Sequence, residues 1–261
     1  STPERPRFVA GSLGPSGKLP SSSDPELSQI HFEELADVFR EQAAALIGGG
    51  CDLLLIETSQ DLLEVKAAIM GVRHAFAETG VRLPLQVQVT LDVSGRMLLG
   101  TDVAAVLAAL ERMPVDVLGL NCSTGPEHMQ AALAYLGERC TLPLSCLPNA
   151  GLPRNEGGHA VYPLAPEDFA RQMGEFVERF GLNAVGGCCG TTPEHIRALV
   201  ARLERGGEEE RGGDSARGGD QEGRGDPDGR DDHDRRGEHD GRDGQDGGRD
   251  QESRRPAPRP T

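Results

Sequence analysis

Three cysteines are the side chains of this sequence best suited to metal chemistry. Cys188 and Cys189 are neighbours in GGCCG, and Cys122 begins the segment CSTGPEHM. Cys189 begins CGTTPEHI, which repeats the same order of cysteine, short polar loop and Pro-Glu-His. Neighbouring cysteines do not readily close an unstrained disulfide, whereas three thiolates with one open position are typical of a catalytic zinc site. The pattern predicts zinc ligands here, with plain packing or a redox-active Cys188–Cys189 pair as the alternatives.

The rest of the cysteine content fits a reducing compartment. The chain has six cysteines, and its first residues lack the basic and apolar pattern of an export signal. No apolar run approaches the roughly 18 residues of a membrane span. These features predict a cytoplasmic protein with reduced thiols and no membrane partner. Cys51, Cys140 and Cys146 lack the adjacent partner or repeated context of the other three cysteines, and we expect them to be small core residues.

Short apolar runs alternate with amphipathic stretches throughout residues 1–204. The apolar runs have strand length and the amphipathic ones have the three-and-four spacing of helices. The predicted strands are 7–13, 52–58, 85–91, 116–122, 143–149 and 183–189, and the predicted helices are 31–47, 61–77, 101–113, 126–139, 166–180 and 193–205. Six successive βα units require a parallel sheet. Both an open doubly wound sheet and a (β/α)8 barrel with about six of its eight units agree with this α/β pattern.

The predicted elements place the cysteines at the functional edge of such a sheet. Cys122 and Cys189 each end a predicted strand and precede a helix that starts with Pro-Glu-His. Parallel α/β folds carry their chemistry at the carboxyl ends of the strands. We therefore expect the two repeated segments to meet there. The glycine-rich stretch at 11–17 leads into a long polar loop rather than a helix, so it is a weak dinucleotide-binding signal.

Residues 205–261 have a composition unlike the rest of the chain. They are rich in Gly, Arg and Asp, and alanine is their only aliphatic residue type. Such a segment buries too little apolar surface to offset its ordering entropy, so we predict a disordered tail. Its acidic residues outnumber its arginines, and the whole chain has a net charge of −15. This balance argues against a nucleic-acid partner.

Five segments of the chain resemble those of a known family. GLNCSTGPEHM, LPNAGLP (147–153) and GGCCGTTPEHI are similar to signature segments of homocysteine S-methyltransferases, and DLLLIET and GRMLLGTD (95–102) support the match. Within this family the chain most resembles the homocysteine-binding domain of cobalamin-dependent methionine synthases, over roughly residues 7–204. The resemblance implies a zinc-containing (β/α)8 barrel. The Asp-Gly strand with which the family begins, and a second βα unit, are not in this chain.

The resemblance also implies a function for particular residues. It implies that Cys122, Cys188 and Cys189 are the zinc ligands. It also implies that Glu57 contacts the substrate amino group and that Asn121 lies in the substrate pocket. It implies zinc-dependent methyl transfer to homocysteine, giving methionine. The expected donor is methylcobalamin, recharged by methyltetrahydrofolate on folate- and cobalamin-binding domains elsewhere. The alternatives are a betaine-like or S-methylmethionine donor, or a truncated non-catalytic barrel that serves as an interaction module.

Overall fold

A computed structural model describes residues 1–3 and 5–216, with the backbone alone from 207 onward. A six-stranded parallel sheet has helices between its strands, and a short antiparallel hairpin forms a separate two-stranded sheet. The strands are β1 (Ala10–Leu13), β2 (Leu53–Ser59), β3 (Leu85–Val89), β4 (Val117–Asn121), β5 (Leu144–Leu147), β6 (Arg154–Glu156), β7 (His159–Val161) and β8 (Ala184–Val185). The helices are α1 (Phe32–Gly48), α2 (Leu62–Thr79), α3 (Val103–Leu110), α4 (Pro126–Arg139), α5 (Pro166–Phe180) and α6 (Pro193–Ala216).

The strand order identifies the architecture. The large sheet runs β1-β2-β3-β4-β5-β8, so its strands follow one another in chain order, and every neighbouring pair is parallel. A doubly wound sheet would reverse its order at a switch point, whereas a barrel adds each strand on the same side of the last. The six predicted βα units and the partial (β/α)8 barrel are thus confirmed.

The two outer strands leave the sheet open within the described residues. There β1 pairs only with β2, and β8 pairs only with β5. Phe8 and Val9, just before β1, are 70% and 63% exposed. Eight strands close a barrel of this kind, so the described part of the chain forms a barrel that is open between β1 and β8.

Local sequence signals set the helix ends. Asp61 and Asp102 cap α2 and α3 by accepting hydrogen bonds from backbone N–H groups two or three residues on. Proline occupies the first turn of α4 and α5, where its missing N–H costs nothing. Gly80 and Gly181 end α2 and α5 in the left-handed conformation. These signals fix where the helices begin and end relative to the strands.

The core lies between the sheet and the helices. Alternate strand residues such as Leu54, Val87 and Leu118 are fully buried beneath the helices. Cys146 belongs to this core, and Cys51 and Cys140 pack against it, as expected for small core residues. Burial raises the pKa of the Cys146 thiol, so this cysteine is inert as a nucleophile.

The β6–β7 hairpin was missed by the pattern of apolar residues. Its two strands are exposed along their whole length, so they show no apolar signal. Gly157 and Gly158 join them, with φ of 62° and 87°. Positive φ at both turn residues is typical of the tight turns that hairpins favour, and the Gly-Gly pair was the available signal.

Two predicted boundaries differ most from the structure. The strand expected over 183–189 is only Ala184–Val185, because the glycine-rich segment after it leaves the sheet. Helix α6 continues to Ala216, past residue 205, where we expected disorder to begin. Extending an existing helix costs far less than starting one, which accounts for the longer helix. The rest of the predicted tail, 217–261, lies outside the described residues.

Among the helices of the described residues, none has both the length and the apolar character that a membrane crossing requires.

Candidate metal centre

The three predicted zinc ligands meet at the carboxyl edge of the sheet. The Sγ of Cys189 lies 3.8 Å from that of Cys122 and 3.9 Å from that of Cys188. All three sulfur atoms lie within 4.8 Å of one another. Tetrahedral ligands with Zn–S bonds of about 2.3 Å hold their sulfur atoms about 3.8 Å apart. The thiols therefore have a spacing that fits zinc, although they come from two distant parts of the chain.

An unusual backbone conformation orients Cys122. Cys122 and Ser123 have φ of 60° and 63°, in the left-handed region that residues with a side chain rarely adopt. The Cys122 N–H still donates to Leu147 in β5, and the Thr124 N–H turns back to the Cys122 carbonyl. The strand β4 therefore ends abruptly, and the chain turns at the ligand itself. Such conformations persist where the surroundings impose them, most often at functional sites.

Close packing of glycines shapes the segment that carries the other two ligands. A Cβ on Gly190 would lie 2.2 Å from Cγ of Tyr162, and Gly190 has φ of 77°. A Cβ on Gly187 would lie 2.3 Å from Cγ2 of Thr191. Only glycine fits at these two positions, on either side of the cysteine pair. Tyr162 follows the β6–β7 hairpin, so the hairpin segment covers the ligand loop.

Asn149 forms hydrogen bonds with the loops of two ligands, and no pattern of residue types pointed to it. It is 2% exposed, and its Oδ1 accepts the Cys189 N–H at 3.0 Å. Its own N–H donates to the Thr124 carbonyl, and its side chain helps to lower the pKa of Cys122. Asn149 lies within the LPNAGLP segment, which supports the family resemblance. The segment was therefore the available sequence signal for this residue, because no spacing of metal ligands includes it.

Hydrogen bonding within the cluster favours ionisation of one thiol. The bond from Cys188, with further bonds from the Ser123 N–H, Cys189 and Asn149, lowers the pKa of Cys122 to about 5. The same bond raises the pKa of Cys188, which keeps its proton as the donor. Burial raises the pKa of Tyr162, and the neighbouring Cys189 adds to that shift. A bound cation would offset the repulsion between adjacent thiolate charges.

Glu57 and Asn121 lie on the same edge of the sheet and contact each other. Ser12 donates a hydrogen bond to Oε1 of Glu57, and Nδ2 of Asn121 lies 3.3 Å from Oε2. The Asn121 side chain is completely buried. It accepts the Thr58 N–H at 2.8 Å and donates to Oγ1 of Thr58 at 2.9 Å. Thr58 also has a left-handed backbone, with φ of 59°.

Asn121, which we expect in the substrate pocket, forms hydrogen bonds with two neighbouring strands. Its amide is engaged with Thr58 and Glu57, at the end of β2, while its backbone continues into Cys122. Its carbonyl accepts a hydrogen bond from Thr90 at the end of β3. Asn121 therefore links the ends of β2, β3 and β4, and its amide contacts the Glu57 carboxylate.

Comparison with known proteins gives consistent matches over this region. The sequence model of the homocysteine S-methyltransferase family matches residues 1–203. Methionine synthases of Mycobacterium leprae and Mycobacterium tuberculosis are each 44% identical, over 205 and 207 residues. These matches cover 78% of this chain and 17% of either relative, so the chain spans about a sixth of their length. The crystal structure of the homocysteine methyltransferase MmuM of Escherichia coli is 29% identical, with a TM-score of 0.54, covering 75% of this chain and 62% of that one.

Proposed function

Because the chain belongs to the homocysteine S-methyltransferase family, we propose that it holds zinc and transfers a methyl group to homocysteine. The zinc ligands are Cys122, Cys188 and Cys189, and the product is methionine. The observation that carries the proposal is the spacing of the three sulfur atoms, 3.8 and 3.9 Å along two sides of the cluster. Neither a packing role nor a disulfide requires three thiols at ligand spacing.

The chain's own residues prepare the thiols for this role. Zinc with three thiolate ligands and one open position supplies the binding and deprotonation of a substrate thiol. The Cys122 thiolate exists at neutral pH, because its pKa is lowered to about 5. The Ser123 N–H and Asn149 stabilise this charge. Three anionic ligands would leave the bound substrate sulfur electron-rich, which favours its attack on a methyl group.

Glu57 supplies the second half of the proposed substrate site. Its carboxylate accepts hydrogen bonds from the neutral groups of Ser12 and Asn121, and neither partner cancels its charge. A carboxylate fixed in this way suits the ammonium group of homocysteine. We assign Asn121 to the orientation of Glu57.

We assign the methyl donor from the relatives rather than from the site. The two curated relatives are methionine synthases, and most of their length lies outside the match. We propose that methylcobalamin, recharged by methyltetrahydrofolate, donates the methyl group from folate- and cobalamin-binding domains elsewhere. Assays that offer methylcobalamin, a betaine or S-methylmethionine in turn test this assignment, and turnover with either of the last two alone would contradict it.

Metal content tests the zinc assignment. The purified chain should contain about one zinc per molecule, measured by atomic emission. Cys122→Ala or Cys188→Ala should lower the content strongly, because two thiolates hold zinc far less tightly than three. Cys140→Ala is the matched control, since Cys140 packs against the core away from the cluster. Stoichiometric zinc in a variant that lacks all three cluster cysteines would refute the assignment.

Homocysteine binding tests the substrate assignment. Calorimetric titration of the zinc-loaded chain should show homocysteine binding, and Glu57→Gln should weaken it while zinc stays bound. The loss of one charge-assisted hydrogen bond costs about 1.5–3 kcal/mol, or roughly 10- to 150-fold in Kd. Equal affinities of the wild type and the variant would remove Glu57 from the site and leave the zinc centre unaffected.

A further inference from the structure

His195, in the second Pro-Glu-His segment, has a fixed place beside the ligand loop. It is 6% exposed, and the ring of Phe169 packs edge-on against it at 5.6 Å. Its Nδ1 accepts the Thr192 N–H at 3.1 Å, and its Nε2 lies 2.9 Å from the Leu164 carbonyl. A backbone N–H only donates and a carbonyl only accepts. The bonds therefore require a neutral ring with its proton on Nε2.

The bond to Leu164 continues toward a zinc ligand through the backbone. The Leu164 N–H donates to the Ala150 carbonyl at 3.0 Å, and the Ala150 N–H donates to the Cys189 carbonyl at 2.9 Å. Asn149 accepts the Cys189 N–H at 3.0 Å. Residues 149 and 150 thus form hydrogen bonds with both the N–H and the C=O of Cys189. Leu164 is in turn hydrogen-bonded to residue 150, and His195 is hydrogen-bonded to Leu164.

The first Pro-Glu-His segment provides an internal comparison. His128 has the same position relative to Cys122 as His195 has relative to Cys189. Its side chain is 30% exposed, with Nδ1 3.2 Å from Glu127. Helix α4 begins at Pro126, and Gly125 before it provides no side-chain cap. Among the described residues, the His128 ring forms no hydrogen bond with the Cys122 loop, so the repeated sequence has two different structural roles.

We propose that His195 is a positioning residue of the metal centre, which acts on Cys189 through Leu164 and Ala150. This inference rests on the proposed zinc function. Residues that orient metal ligands from outside the coordination shell typically change metal affinity 10- to 100-fold when they are replaced. The competing role is that of a helix cap, which uses only the Nδ1 bond to Thr192.

Two substitutions separate these roles, because both can keep the cap bond to Thr192 but only one of them can reach Leu164. In His195→Asn the amide oxygen takes the place of Nδ1 and keeps the bond to Thr192, whereas the bond to Leu164 is lost. In His195→Gln the amide nitrogen takes the place of Nε2 and keeps the bond to Leu164. His128→Asn and His128→Gln are the matched controls. Zinc affinity of the full 261-residue chain is measured by competition with a chromophoric chelator, and Tm is measured without metal.

The proposal predicts a specific order of zinc affinities. His195→Asn should weaken zinc binding by roughly tenfold, His195→Gln should weaken it clearly less, and both His128 variants should match the wild type. A helix cap predicts that His195→Asn and His195→Gln bind zinc equally well, because α6 begins at Pro193 and either side chain can accept the Thr192 N–H there; that result would overturn the proposal. The proposal would also be overturned if the His195→Asn chain bound zinc as tightly as the wild type. The same holds if the His195→Asn chain no longer folded without metal.

The outcomes also separate this inference from the proposed function. A wild-type chain that retains no zinc refutes the metal centre and the role of His195 together. If the wild type binds zinc and the His195→Asn variant binds it with equal affinity, the role of His195 alone is refuted.

Discussion

Replacing Asn121 by alanine tests the link between the metal centre and Glu57. The side chain is completely buried and makes hydrogen bonds of 2.8 and 2.9 Å with Thr58 and a longer one of 3.3 Å with Glu57. The substitution removes all three and leaves the Thr58 N–H without its acceptor. It also removes the contact that holds Thr58 in the left-handed conformation, with φ of 59°.

The size of the effect follows from these contacts. An orphaned buried donor costs about 1–3 kcal/mol, and each ordinary hydrogen bond contributes about 0.5–1.5 kcal/mol. We expect Asn121→Ala to lower the free energy of unfolding by about 2–3 kcal/mol. For a domain of this size each kcal/mol lowers Tm by roughly 2–4 °C, so Tm should fall by roughly 4–12 °C. Homocysteine should bind more weakly, because Glu57 loses a donor that orients it.

Thermal unfolding and homocysteine titration of the zinc-loaded chain measure the two effects. Asn183→Ala is the matched control, because the Asn183 side chain accepts a single backbone hydrogen bond, from Leu144, at the opposite edge of the sheet. It should lower stability by about 1 kcal/mol and leave homocysteine affinity unchanged. If Asn121→Ala is no less stable than Asn183→Ala and binds homocysteine normally, the reasoning about Asn121 is wrong.

Three further predictions concern the ligand loop, a buried carboxyl group and the tail. Gly190→Ala should weaken zinc binding and cost about 1–3 kcal/mol of stability, because its Cβ would lie 2.2 Å from Tyr162. Gly17 has a similar φ but open space around it, so the control Gly17→Ala should keep wild-type zinc affinity. Burial raises the pKa of Glu64, so the wild type loses stability as pH rises through that pKa. Glu64→Gln, which keeps an acceptor oxygen, should therefore raise Tm more at pH 7 than at pH 4, and a pH-independent difference would contradict this. Removal of 217–261 should change neither zinc content nor Tm, since the segment offers almost no apolar surface to bury; a lower Tm would show that it docks.

Much of the fold could be predicted from the sequence, because the signals involved are local. The apolar runs and the three-and-four spacing depend on neighbouring residues, and the structure confirms all six βα units. The three cysteines could be identified by residue type and by their repeated context. The pattern of strands and helices left a doubly wound sheet and a barrel equally open, and only the family resemblance favoured the barrel. Strand order is a property of the folded sheet, and it agrees with the barrel.

The details of the site depended on the tertiary structure, because they come from residues far apart in the chain. Nothing about a cysteine predicts the left-handed backbone of Cys122, since the surroundings impose that conformation against the preference of the residue. The same holds for Asn149, whose amide holds Cys189. The Pro-Glu-His repeat is identical in both segments, yet only His195 is buried and bonded to a loop that reaches a ligand. Sequence types and spacings therefore supplied the chemical groups, whereas hydrogen bonds between distant loops determined which of those groups hold the site in place.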